Sequence, residues 1–115
     1  MERLHLYSNH ISRIENLDHL TNLEVLWLAD NEITEVENLS ALTNLREINL
    51  ARNGIERVGD VLLANPSLTS VNLADNMIGS FKEIAAVGRL PKLKELCFAD
   101  PHWVGRYRLT LSNPR

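Results

Sequence analysis

Four imidazoles and one thiol, His5, His10, His19, His102 and Cys97, are the groups in this 115-residue chain that could ligate a metal or run nucleophilic chemistry. They make a poor set. The histidines show no metal-ligand spacing with Cys97, and a lone thiol cannot supply the cysteine pair of a zinc site. No Gly-rich phosphate loop is present. Binding chemistry is better represented. His5, Tyr7 and Trp27 carry flat side chains of the kind that anchor a partner, and Arg52, Asp30, Glu47, Asp75 and Glu95 carry charges that could orient one. No catalytic, cofactor-binding or metal-binding residue is assigned.

What positions these groups is a repeat. Asn9, Asn31, Asn53 and Asn76 fall 22, 22 and 23 residues apart, each in one hydrophobic frame. Leu23-x-x-Leu26-x-Leu28-x-x-Asn31-x-Ile33 recurs as Leu45-x-x-Ile48-x-Leu50-x-x-Asn53-x-Ile55 and Leu68-x-x-Val71-x-Leu73-x-x-Asn76-x-Ile78. A partial copy, Leu4-x-Leu6-x-x-Asn9-x-Ile11, precedes them, and a degraded one, Leu93-x-x-Leu96-x-Phe98-x-x-Pro101, follows. Self-similarity at this period marks a stacked repeat array. Within each unit the first half alternates, as in Leu26-Trp27-Leu28, which is the period of a strand with one buried side. The second half has a period of three. Ile11, Ile14, Leu17, Leu20 and Leu23 follow it, as do Ile33, Val36, Leu39, Leu42 and Leu45. That spacing suits 3₁₀ turns, whose side chains eclipse at i and i+3.

The expected fold is therefore an α/β solenoid: a short, curved, right-handed stack with a parallel concave sheet and a convex side of 3₁₀ turns and short helices. The repeats run 1–22, 23–44, 45–67, 68–92 and a partial 93–101, and residues 102–115 form a tail or incomplete cap. Ser80-Phe81-Lys82-Glu83 reads as a capping box ahead of a turn or two of α-helix ending near Gly88. The four asparagines sit at the corner between the halves. A primary amide holds two donors and an acceptor, so stacked amides can satisfy the backbone groups of each turn as a buried structural ladder.

Outward strand positions form columns on the concave face. One reads His5, Trp27, Asn49, Asn72, Cys97, and the one before it Arg3, Val25, Glu47, Ser70, Glu95. Tyr7 is followed by alanines at 29, 51, 74 and 99, which let a partner approach the sheet closely. Beside them run Ser8, Asp30, Arg52, Asp75 and Asp100. The partner-binding surface is accordingly His5, Tyr7, Val25, Trp27, Asp30, Glu47, Asn49, Arg52, Asn72, Asp75 and Glu95. In this arrangement Cys97 and His5 stand four strands apart at about 4.8 Å each, too far for a nucleophile and its base.

Bulk properties agree with a protein partner. The formal net charge is −3 and the isoelectric point about 5.8, which argues against nucleic acid. Residues 1–88 hold 6 basic and 13 acidic side chains, and residues 89–115 hold 6 and 2. This describes a solvated acidic body with a basic tail. One cysteine forms no intrachain disulfide, the first residues lack a signal-peptide core, and no run reaches membrane-spanning length. The sequon Asn38-Leu39-Ser40 is explained by the repeat, since Asn16-Leu17-Asp18 occupies the same position. The expected setting is cytoplasmic, with nuclear or ciliary sites as variants, and not secreted. The expected partner is another protein, with no nucleic acid, membrane or small-molecule substrate and no cofactor.

Residues 1 to 101 resemble the leucine-rich repeat family, in its 22-residue class, which includes the leucine-rich-repeat regulatory subunit of protein phosphatase 1 and the axonemal dynein light chain. The resemblance implies a non-enzymatic interaction module whose concave face meets its partner. It also implies two alternatives, an enzyme-regulating subunit and a structural element of a ciliary or cytoskeletal assembly. Leu93–His102 is similar to a final repeat, and Trp103 and Tyr107 are expected to fold over it as a lid. Met1 stands at the start of a repeat with no cap ahead of it, so the chain is expected to be a fragment of a longer protein.

Overall fold

The computed structural model describes residues 2–79, 81–98 and 107–110. One sheet carries the architecture, with strands in chain order: β1 (Glu2–His5), β2 (Leu23–Trp27), β3 (Glu47–Asn49), β4 (Ser70–Leu73), β5 (Glu95–Phe98) and β6 (Tyr107–Thr110). β1 to β5 are parallel, and β6 adds to β5 antiparallel. The register follows the repeat frame. Val25 pairs with Glu47, Glu47 with Ser70 and Ser70 with Glu95, while Trp27, Asn49, Asn72 and Cys97 form the next row.

The core lies between this sheet and the convex wall. Leu26, Ile48, Val71 and Leu96 stack as one row of inward strand residues, and Leu23, Leu45, Leu68 and Leu93 as another, each at most 2% exposed. Full burial of such a side chain contributes roughly 1.5–3 kcal/mol. A single cluster runs from Ile14 to Phe98, with Leu4, Leu6, Ile11 and Leu20 only partly covered against it.

Period three becomes hydrogen bonding on the convex side. Each of the first four units closes with two successive i to i−3 bonds at equivalent places. Leu20 N and Leu23 N donate to Leu17 and Leu20, Leu42 N and Leu45 N to Leu39 and Leu42, and Leu90 N and Leu93 N to Val87 and Leu90. Longer 3₁₀ helices occur at Val61–Ala64 and Phe81–Arg89. The second corrects the sequence reading, which expected α-helix there. Ile84, Val87 and Leu90 are all buried and spaced by three, and only a three-residue turn keeps that row facing the stack. Ser80, the expected cap, lies outside the described residues. Trp103 does too, and of Tyr107 the backbone is described, in β6.

Candidate protein-docking face

Repeat corners hold the open face in shape. Asn31 Nδ2 donates to the carbonyls of Leu6, Leu28 and Ala29, and its Oδ1 accepts from Ile11 N. Asn53 does the same with Leu28, Leu50, Ala51 and Ile33, and Asn76 with Leu50, Leu73, Ala74 and Ile55. Each side chain thus joins its own turn to the one before it. Asn31 is buried, Asn53 and Asn76 are half-buried, and Asn9 is exposed, bonding only the carbonyls of Leu6 and Tyr7 in its own turn.

A feature the sequence pattern did not reveal stands just ahead of each rung. Ser8, Asp30, Arg52 and Asp75 all have left-handed backbones, with φ between 56 and 60°. The chain must turn sharply out of the strand there, and no glycine does it. Because the four positions stack, the turn presents their side chains as a rim along the concave face. On that rim Ser8 Oγ donates to Asp30 Oδ2 at 3.1 Å, and Arg52 Nε lies 3.9 Å from Asp75 Oδ2.

The opposite side of the face is built on Trp27. Its indole stacks on the His5 ring, with centroids 4.2 Å apart and planes at 12°. Tyr7, 54% exposed, has its ring 6.4 Å from that of His5. Trp27 Nε1 donates to Glu47 Oε2 at 2.5 Å, so a carboxylate on β3 fixes the indole of β2. Stacking of this kind is worth roughly 0.5–1.5 kcal/mol beyond the buried area. The result is a half-buried aromatic plate rather than a loose exposed side chain.

Between plate and rim lies a depression of about 430 Å³ floored by Ala29, Ala51 and Ala74. Of the residues expected to contact a partner, Tyr7, Trp27, Asp30, Asn49, Arg52, Asn72 and Asp75 line it, and His5 and Glu47 brace Trp27. Asn49 and Asn72 use their Oδ1 atoms internally, accepting from Ala51 N and Ala74 N. Val25 departs from the expectation. At 5% exposure it has almost no surface to offer, since its short side chain sits in register between the longer Arg3 and Glu47. Glu95 falls outside the depression, in register between Ser70 and Thr110 of β6. A larger groove, about 660 Å³, follows the N-terminal rim of the strands. Its polar groups serve the fold: Asn44 Nδ2 donates to Thr21 O, and Arg46 pairs with Glu24 at 3.5 Å.

One more polar group escaped the sequence reading. Asn65 occupies the column of Leu20, Leu42 and Leu90, is fully buried, and donates to Leu39 O and Leu42 O. Its Oδ1 has no protein partner. The signal available was an amide in a leucine column, masked by the turn-like Pro66-Ser67 that follows.

A parallel sheet with one open face, laid on a wall of three-residue turns and tied by an asparagine ladder, defines a leucine-rich-repeat solenoid. Residues 1–41 and 21–65 match the family model described as leucine rich repeats (2 copies), and residues 64–80 match a further leucine rich repeat model. The chain belongs to the leucine-rich repeat family, and the matching models describe repeats rather than an enzyme. Among solved structures it is similar to the Drosophila melanogaster SNF/U2A′ complex, with a TM-score of 0.74 and 29% identity over 82% of this chain. The match spans 55% of that chain. Domains of this family are typically protein-interaction modules.

Proposed function

We propose that this protein is a non-enzymatic docking module that holds a partner protein across its concave face, between the Trp27 plate and the Asp30–Arg52–Asp75 rim. The observation that carries the reading is the braced indole. Trp27 is fixed by His5 on one face and by Glu47 at its nitrogen, beside an alanine floor that admits close approach. A rigid, half-exposed aromatic with charged neighbours is the kind of anchor that dominates protein interfaces. The likeness to a protein solved as a complex supports an interaction role.

A regulatory-subunit form of the same activity is the second reading, in which the bound partner is an enzyme. It draws on the acidic and aromatic character that the face shares with the phosphatase regulator of this class. The similarity of Leu93–His102 to the final repeat of leucine-rich repeat-containing protein 9 belongs with these finer readings. A reducing compartment, cytoplasmic, nuclear or ciliary, is part of the proposal and rests on the single Cys97.

The test is a pull-down with the wild type against a Trp27→Ala, Glu47→Lys double variant, with circular dichroism to confirm that both are folded. Partners held by the wild type should be lost from the variant, as removal of one anchor typically weakens binding by about 2 kcal/mol or more. Retention of every partner by the folded double variant would overturn the concave-face proposal. Recovery of an enzyme catalytic subunit would select the regulatory reading.

A further inference from the structure

We infer that Asn53-Gly54 is a self-modifying site, held inert by the fold and released when the second and third repeats separate. Twelve asparagines occur in the chain, and Asn53 is the one followed by glycine. The other ladder asparagines, Asn9, Asn31 and Asn76, are followed by His10, Glu32 and Met77. Succinimide formation needs the amide nitrogen of the next residue to reach the asparagine Cγ, and a residue without Cβ hinders that approach least.

In the folded chain the peptide of Ile33 holds both reacting groups. Ile33 N donates to Asn53 Oδ1 at 3.0 Å, and Gly54 N donates to Ile33 O at 2.7 Å. Asn53 Nδ2, the leaving group, is held at Leu28 O, Leu50 O and Ala51 O. Five hydrogen bonds must therefore break before Gly54 N can turn onto Cγ. Three of the five partner groups, Leu28 O, Ile33 N and Ile33 O, belong to the preceding repeat, so the event that frees the site is loss of the contact between the two repeats.

Once free, the Gly54 nitrogen, losing its proton to hydroxide, bonds to Cγ, and Nδ2 leaves as ammonia after taking a proton from water. Water then opens the ring at either carbonyl, giving aspartate or isoaspartate at position 53. The net change is one water consumed and one ammonia released. Either product removes the amino group that donates to three carbonyls in this rung and sets a carboxylate against those carbonyl oxygens, and isoaspartate also lengthens the main chain. Opening alone is reversible, but this reaction is not, and a chain that has reacted here cannot rebuild the rung.

Incubating the full chain in warm, mildly alkaline buffer with and without urea, followed by peptide mapping for isoaspartate, tests this. Asn53 should convert first among the asparagines in urea, and at least about tenfold more slowly in the folded protein. Gly54→Ala should slow the reaction in urea while preserving the fold, because a Cβ there would meet Thr34 Cγ2 and Ile33 O at ordinary distances of 3.5 and 3.6 Å. Equal rates at Asn53 with and without urea would overturn the inference, as would another asparagine converting first in urea.

Discussion

Asn31 and Asn9 carry the same side chain at the same place in the frame, yet they do different work. Asn31 satisfies three carbonyls and one N–H across two turns, whereas Asn9 reaches two carbonyls of its own turn from an exposed position. Asn31→Leu should therefore destabilise the chain by roughly 1–3 kcal/mol, the cost of stranding buried polar groups. Asn9→Leu should stay within about 0.5 kcal/mol, as surface changes do. Urea unfolding of the two variants measures the difference, and equal losses would deny the ladder its cross-turn role. The left-handed residue before each rung gives a second prediction. Arg52 has φ of 57°, which a β-branched side chain resists and asparagine tolerates. Arg52→Val should be less stable than Arg52→Asn by about 1–2 kcal/mol. Both variants lose the exposed ion pair to Asp75, so the comparison isolates the backbone. The ladder could be read from spacing because its chemistry is periodic in the sequence. The left-handed positions could not, since Ser8, Asp30, Arg52 and Asp75 share a conformation but no common side-chain type, a hydroxyl, a guanidinium and two carboxylates standing at equivalent places.

At the scale of elements, the convex side shows how stacking overrides local preference. Phe81–Arg89 has a sequence that reads as helix, but nine residues of 3₁₀ geometry result, because Ile84, Val87 and Leu90 must each face the same neighbour. The period of three is legible in the sequence, and the capping-box pattern that points to α-helix yields to it because the buried row of Ile84, Val87 and Leu90 follows that period. Two glycines on this side separate space from backbone. A Cβ added at Gly59 or Gly88 would meet nothing within 4 Å, but Gly59 has φ of +61°. Gly88→Ala should stabilise by about 0.4–1 kcal/mol, through the reduced freedom of the unfolded chain. Gly59→Ala should destabilise by about 1 kcal/mol or more, since alanine is strained in that region. Thermal melts of the two single variants should move in opposite directions; a shift of the same sign in both would mean that the backbone at Gly59 relaxes at little cost.

The whole molecule is a stack in which each turn touches its neighbours, so its stability is a sum of local terms rather than one global figure. That is why the fold could be read from the sequence almost completely. Parallel order, register and core rows all follow from one repeated frame, while the Trp27 brace depends on a bond from β2 to β3 that no spacing encodes. The same additivity makes protection uneven along the axis. Leu4, Leu6, Ile11 and Leu20 are only partly covered, whereas Leu26, Ile48, Leu50, Leu68 and Leu73 are sealed on both sides at 0% exposure. In this chain, amide exchange should be fastest at Leu6 and Ser8, whose N–H groups bond from the first turn to Trp27 O and Ala29 O of the second repeat, and slowest at Leu28 and Leu50, which bond inside the stack. Opening costs should rise from the first repeat toward the third. Uniform protection across these four amides would show that the chain opens all at once, and the separation of the second and third repeats that exposes Asn53 would then require global unfolding.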